Sequence, residues 1–163
     1  MKILKTFLMT AAADILSLFI ALTLAGSSSG AIRIVSAICT TGVLICILGS
    51  FAIKTAKEDM KLRRIKETEV SPTLPLFMGI TASLPSFASW MILKFSDMDF
   101  YRIHKLVNGY FLQIFNFINS AASSSDLSTD DIWVMLPFSF VPMAIFLLGY
   151  YLTHFGIISA ENR

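Results

Sequence analysis

The sequence predicts an all-α integral membrane protein with four transmembrane helices and one amphipathic interfacial helix between the third and fourth. Three observations predict it. Four long apolar runs, at about 4–26, 31–53, 72–93 and 132–155, are separated by three polar gaps, and each run reaches the roughly 20 helical residues that cross a bilayer core of about 30 Å. Only 15% of the 163 residues are charged and 55% are hydrophobic, whereas soluble domains carry about 25% charge. The charge deficit falls inside the runs. Finally, residues 100–121 keep a helical apolar spacing but are too polar to cross.

The whole chain, 1–163, reads as a single four-helix membrane domain, because no gap is long enough for a soluble second one. The formal charge of +2 is too small to point to nucleic acid.

The first run begins Met1-Lys2-Ile3-Leu4-Lys5, a basic start, and Thr23-Leu24-Ala25 resembles a small-residue cleavage site. Its apolar stretch is longer than a signal core and contains Asp14, so a retained helix is expected. The Gly-Ser turn at 26–30 allows only an antiparallel hairpin with the second run. That run carries both cysteines, Cys39 and Cys46. Their spacing of seven puts them on one face about 10 Å apart, too far for a disulfide, and they read as small packing residues.

Lys and Arg mark the cytoplasmic side of a membrane protein. Lys2 and Lys5 precede the first run, and Lys54, Lys57, Lys61, Arg63, Arg64 and Lys66 follow the second. With Arg163 these put nine of the thirteen basic residues on one side, so both termini are expected in the cytoplasm. The compact chain suggests a bacterial cytoplasmic membrane. The gap after the second run reads as a helical continuation, with Asp59 and Arg63 spaced as an i,i+4 pair. It is either a solvated face or a docking surface for anionic headgroups or a protein partner.

Pro72 and Pro75 open the third run, where proline suits a first helical turn. Pro85 lies inside it and removes a backbone hydrogen bond, which predicts a kink near Leu84. Pro137 and Pro142 interrupt the fourth run in the same way. Gly79 with Ser83, and Ala82 with Ser86, have the small-xxx-small spacing that lets helices approach closely.

In the outer segment Ile103, Leu106, Val107, Tyr110, Ile114, Phe117 and Ile118 define the apolar face, which Phe111 and Phe115 widen. Arg102, Lys105, Gly109, Gln113, Asn116 and Ser120 fall opposite. The expectation is a helix lying in the interface or covering the bundle as a lid, with His104 and Asn108 near its polar edge. Residues 121–126 read as a flexible linker. Ser128 and Asp131 have capping-box spacing before the fourth run. Trp133 is placed at interface depth, and Tyr150, Tyr151 and His154 at the other boundary.

Asp14 is the one ionisable residue well inside a run, and a carboxylate there costs about 2.5–3.5 kcal/mol on insertion scales unless paired, hydrated or protonated. Arg33 and Lys5 are its candidate cations, and Ser36, Thr40, Thr41 and Ser50 its candidate neutral donors. Asp14, Thr40 and Thr41 form the expected ion, proton or polar site. No metal-binding or nucleophile motif occurs, so neither an enzyme nor a cofactor is expected. Two readings remain. One is a non-enzymatic membrane subunit or accessory protein that binds other membrane proteins or a second copy of itself. The other is a small ion- or proton-coupled transporter or channel using Asp14, with Pro85, Pro137 and Pro142 shaping a cavity.

Overall fold

The structure, a computed structural model, describes residues 1–24, 29–66, 71 and 73–156. Most of the Gly-Ser turn, Pro72, the side chain of Lys66 and Arg163 lie outside the described residues. Among these residues every regular element is helical, and four stretches are long and apolar enough to cross a membrane.

Helix α1 is Lys2–Leu24 and α2 is Gly30–Lys66. They run antiparallel: Ser17 donates to the Thr40 carbonyl at 3.1 Å, and Lys2 at the start of α1 pairs with Asp59 near the end of α2. Helix α2 continues through the basic gap, as its charge pattern predicts. Helix α3 is Leu74–Phe95 and stays helical through Pro85. The fourth run is not one uniform helix. It is α6, Thr129–Met135, then a 3-10 turn at Leu136–Phe140, then α7, Val141–His154. (The segment before α6 supplies α4, Tyr101–Val107, and α5, Leu112–Ile118.) Pro137 and Pro142 stand in the first turns of the last two elements, where a missing N–H costs nothing.

The bundle is small inside and large outside. Thr6, Thr10, Ala13, Ser17 and Ala21 form the buried stripe of α1, while Ile15, Phe19 and Leu22 on the same helix are more than two-thirds exposed. A water-soluble bundle reverses that order. Small and hydroxyl-bearing contacts are what helices use to associate when the surroundings are as apolar as they are. Helices α3 and α7 meet at Gly79, where an added Cβ would lie 3.2 Å from Leu147. Ser83 accepts the α7 Met143 N–H at 2.9 Å, so a partner for the small-residue face is found within the chain. Helices α2 and α7 approach at Gly149, whose Cβ position is 3.1 Å from Ala52 Cβ and 3.3 Å from the Gly49 carbonyl.

Cys39 and Cys46 are exposed rather than packed inside. Asp59 pairs with Lys2 and accepts the Tyr150 hydroxyl at 3.0 Å, so a cation from another helix replaces the expected Arg63. Ser128 and Asp131 form the capping box at the start of α6.

The outer segment departs most from expectation. Instead of one helix over 100–121 it forms α4, Tyr101–Val107, a 3-10 turn at Gly109–Phe111, and α5, Leu112–Ile118. The two arms lie together: the Tyr101 hydroxyl donates to the carbonyls of Phe115 and Asn119, and Lys105 donates to those of Asn119 and Ala121. The inside is shared by both kinds of residue: His104, Lys105, Asn108 and Gln113 are buried together with Tyr101, Tyr110, Phe111 and Phe115, whereas Ile103, Leu106 and Phe117 are about half exposed. Residues 121–126 are bonded rather than a plain linker. The Ser124 hydroxyl accepts the N–H groups of Phe100 and Tyr101, capping α4 from a distance. The Ser124 N–H donates to Asp99 at 2.7 Å and holds that exposed carboxyl below its ordinary range.

Candidate functional site: a polar junction inside the bundle

The turn between α4 and α5 reaches deep into the bundle. Its Gly109 N–H donates to Asp14 Oδ1 at 2.6 Å. Asp14 stands ten residues from the α1 terminus at Leu24, a depth of about 15 Å at the helical rise. The outer segment is therefore a hairpin folded back into the helices, not a cover over their ends.

The sequence breaks here for local reasons. In a continuing helix the N–H of Asn108 would reach the His104 carbonyl, and that of Gly109 the Lys105 carbonyl. Instead the Asn108 side-chain amide donates to the His104 carbonyl at 2.8 Å, the competition with the backbone that makes Asn a helix breaker. The Gly109 N–H is thereby free for Asp14. Glycine is required by close approach: an added Cβ would overlap Leu18 Cγ and lie 3.1 Å from Asp14 Oδ1.

Neutral groups complete the junction. Thr40 Oγ1 donates to the Tyr110 carbonyl at 3.1 Å, and Thr41 Oγ1 reaches the same oxygen at 3.4 Å. On the α3 side Ser86 Oγ lies 2.5 Å from Asn108 Oδ1 and 2.6 Å from the Tyr110 hydroxyl. Ser89 Oγ is 3.0 Å from His104 Nδ1 and accepts from Asn108 Nδ2 at 3.1 Å. The His104 imidazole is fully buried. Its Nε2, and the hydroxyl of buried Ser36, have no hydrogen-bond partner among the described residues. An aromatic cluster locks the hairpin against the 3-10 turn of the fourth run: Phe138 meets Phe111 and Phe115 edge-on at 5.4 and 5.8 Å.

Asp14, Thr40 and Thr41, singled out from the sequence, thus converge on two consecutive backbone groups, the Gly109 N–H and the Tyr110 carbonyl. Arg33 and Lys5, the expected cations, are replaced by the peptide N–H. Ser50 lines a surface groove near the chain terminus instead. Pro85 lies one residue from Ser86, whereas Pro137 and Pro142 organise the fourth run. The residues that sequence reasoning missed are Ser17, Ser86, Ser89, Asn108, Gly109 and Tyr110. One local signal for them exists, the Asn108-Gly109 dipeptide, a turn former set inside a helical pattern.

The arrangement holds a carboxylate, a carbonyl and hydroxyls around a broken helix, but the stronger donors and acceptors are already spent on one another. Among the described residues no cluster of three metal-ligating side chains occurs. The chain matches no known protein-family model, no curated protein and no solved structure.

Proposed function

We propose that this protein is a non-enzymatic integral membrane subunit that binds another membrane protein, its folded-back hairpin serving as a fixed structural element. The observation that carries this reading is the use of Asp14: its carboxylate holds the Gly109 N–H, and the two threonines hold the next carbonyl. A mid-bundle charge used this way positions a segment. Ile103, Leu106 and Phe117, which face outward from the hairpin while His104, Lys105 and Gln113 are buried, support its immersion in lipid as a re-entrant element. Exposed Lys5, Lys54, Lys57 and Lys61 at the Met1 end of the bundle support placing both termini in the cytoplasm, in a bacterial inner membrane.

The test has two arms. The native membrane is solubilised in mild detergent and the protein isolated by a C-terminal tag, with recovery in a stoichiometric complex expected. The purified chain alone is reconstituted in liposomes under a pH or sodium gradient, with flux expected to equal that of empty vesicles. Asp14-dependent flux by the isolated chain would overturn the proposal.

A second reading, a small ion- or proton-coupled transporter, is favoured by one observation. A half-buried carboxylate faces a helix break midway along the bundle, beside a carbonyl and two hydroxyls, the setting in which broken membrane helices hold ions. Asp14→Asn decides it: abolished flux supports transport, and no flux in either protein removes it.

A further inference from the structure

The seam between α1 and α2 carries a surface groove of about 660 Å³ at the end of the bundle that holds Met1, within the range of about 300–1,000 Å³ typical of small-molecule sites. Its lining is sorted along the helix axes. Lys2, Lys5, Lys54 and Glu58 stand at the end of the bundle, and Leu8, Ile47 and Phe51 line the groove one to two turns further in. Lys2 is committed to Asp59, while Lys5 and Lys54 are exposed and make no ion pair among the described residues. Lys54 also edges an adjoining groove with Lys57 and Lys61. Among the described residues, Lys5, Lys54, Lys57 and Lys61 are therefore four unpaired lysines around a single carboxylate, Glu58.

We propose that this groove binds one anionic phospholipid, with its phosphate between Lys5 and Lys54 and an acyl chain along Leu8, Ile47 and Phe51. The proposal rests on the four helices spanning a bilayer and is independent of what Asp14 does. Two features argue for a lipid over a peptide or a soluble anion. The groove changes from charged to apolar along the direction in which a lipid changes from headgroup to tail. Its basic end lies where lysine side chains reach toward headgroups while their stems cover apolar surface. Charge complementarity selects the anionic class, because a zwitterionic head would bring a cation into the same lysines.

The test uses the full chain, purified and delipidated in an uncharged detergent, with native mass spectrometry under equal amounts of dioleoyl phosphatidylglycerol and dioleoyl phosphatidylcholine. The expected result is one retained phosphatidylglycerol, favoured on the order of tenfold over phosphatidylcholine. The preference should vanish in Lys5→Gln/Lys54→Gln and return in Lys5→Arg/Lys54→Arg, which keeps both charges. Equal retention of the two lipids by the wild type would overturn the proposal. So would a preference that survives the glutamine pair, or one that the arginine pair fails to restore.

Discussion

Asp14 and Asp59 face the same problem at two depths and meet it with different partners. Asp59, near the end of α2, is 3% exposed and takes a cation, Lys2, together with the Tyr150 hydroxyl. Asp14, midway along α1, takes a peptide N–H from a segment ninety-five residues away. Lysine can reach the end of a bundle with its head near water, but at mid-depth a second charge would itself need solvation. A backbone N–H carries no such cost, and it exists only where a helix has been opened. The contrast teaches that the break at Asn108-Gly109 and the charge at Asp14 require each other: the open turn needs an acceptor, and the carboxylate needs a donor.

Substitutions break the comparison at either end. The largest effect is expected for Asp59→Ala. Losing one partner of a buried ion pair costs about 3–5 kcal/mol, and the partial exposure of Lys2 puts the expectation here at the low end, about 3 kcal/mol. Thermal unfolding in detergent measures it, and Lys2→Met should recover part of the loss by removing the stranded cation. Gly109→Ala comes next, since forcing a methyl against Leu18 and Asp14 is overpacking of about 1–3 kcal/mol. Its signature is local: proteolysis or cysteine labelling of the hairpin should increase while α2 and α7 stay protected. Ser86→Ala removes a partner from both Asn108 and Tyr110, for about 1–2 kcal/mol, read from the same unfolding curve. Ser124→Ala is the smallest, about 1 kcal/mol for a lost cap, and should loosen the start of α4 alone by hydrogen exchange.

The two regions also differ in how far the sequence announced them. The four long helices were legible because a bilayer-length apolar run has few alternatives, and the α2 extension because its charges keep helical spacing. The capping box at Ser128 was legible because it is local. The hairpin was not. Apolar spacing persists on both sides of Asn108, so a period count joins α4 and α5 into one helix. The amphipathic reading then sets one polar face against one apolar face, whereas here His104, Lys105 and Gln113 turn inward together with Tyr110, Phe111 and Phe115, and Ile103 and Phe117 turn outward. Asp14 was legible as costly to bury, and Thr40 and Thr41 as neutral donors nearby. Their common partner was not, because a peptide N–H has no sequence signature until the helix that would consume it is known to break. The Lys2–Asp59 pair was hidden for a related reason: an i,i+4 rule sees Arg63, and only the antiparallel packing of α1 on α2 brings Lys2 closer.

The central claim is that Asp14 holds the hairpin tip at mid-bundle through its bond to Gly109. Amide hydrogen exchange at Gly109, followed by NMR in micelles for the wild type, Asp14→Asn and Asp14→Ala, tests it most directly. The account predicts strong protection in the wild type, protection largely kept in Asp14→Asn, whose side-chain carbonyl still accepts, and protection lost in Asp14→Ala while the α2 amides are unchanged. Rapid exchange of Gly109 in the wild type, or protection indifferent to Asp14→Ala, would contradict it.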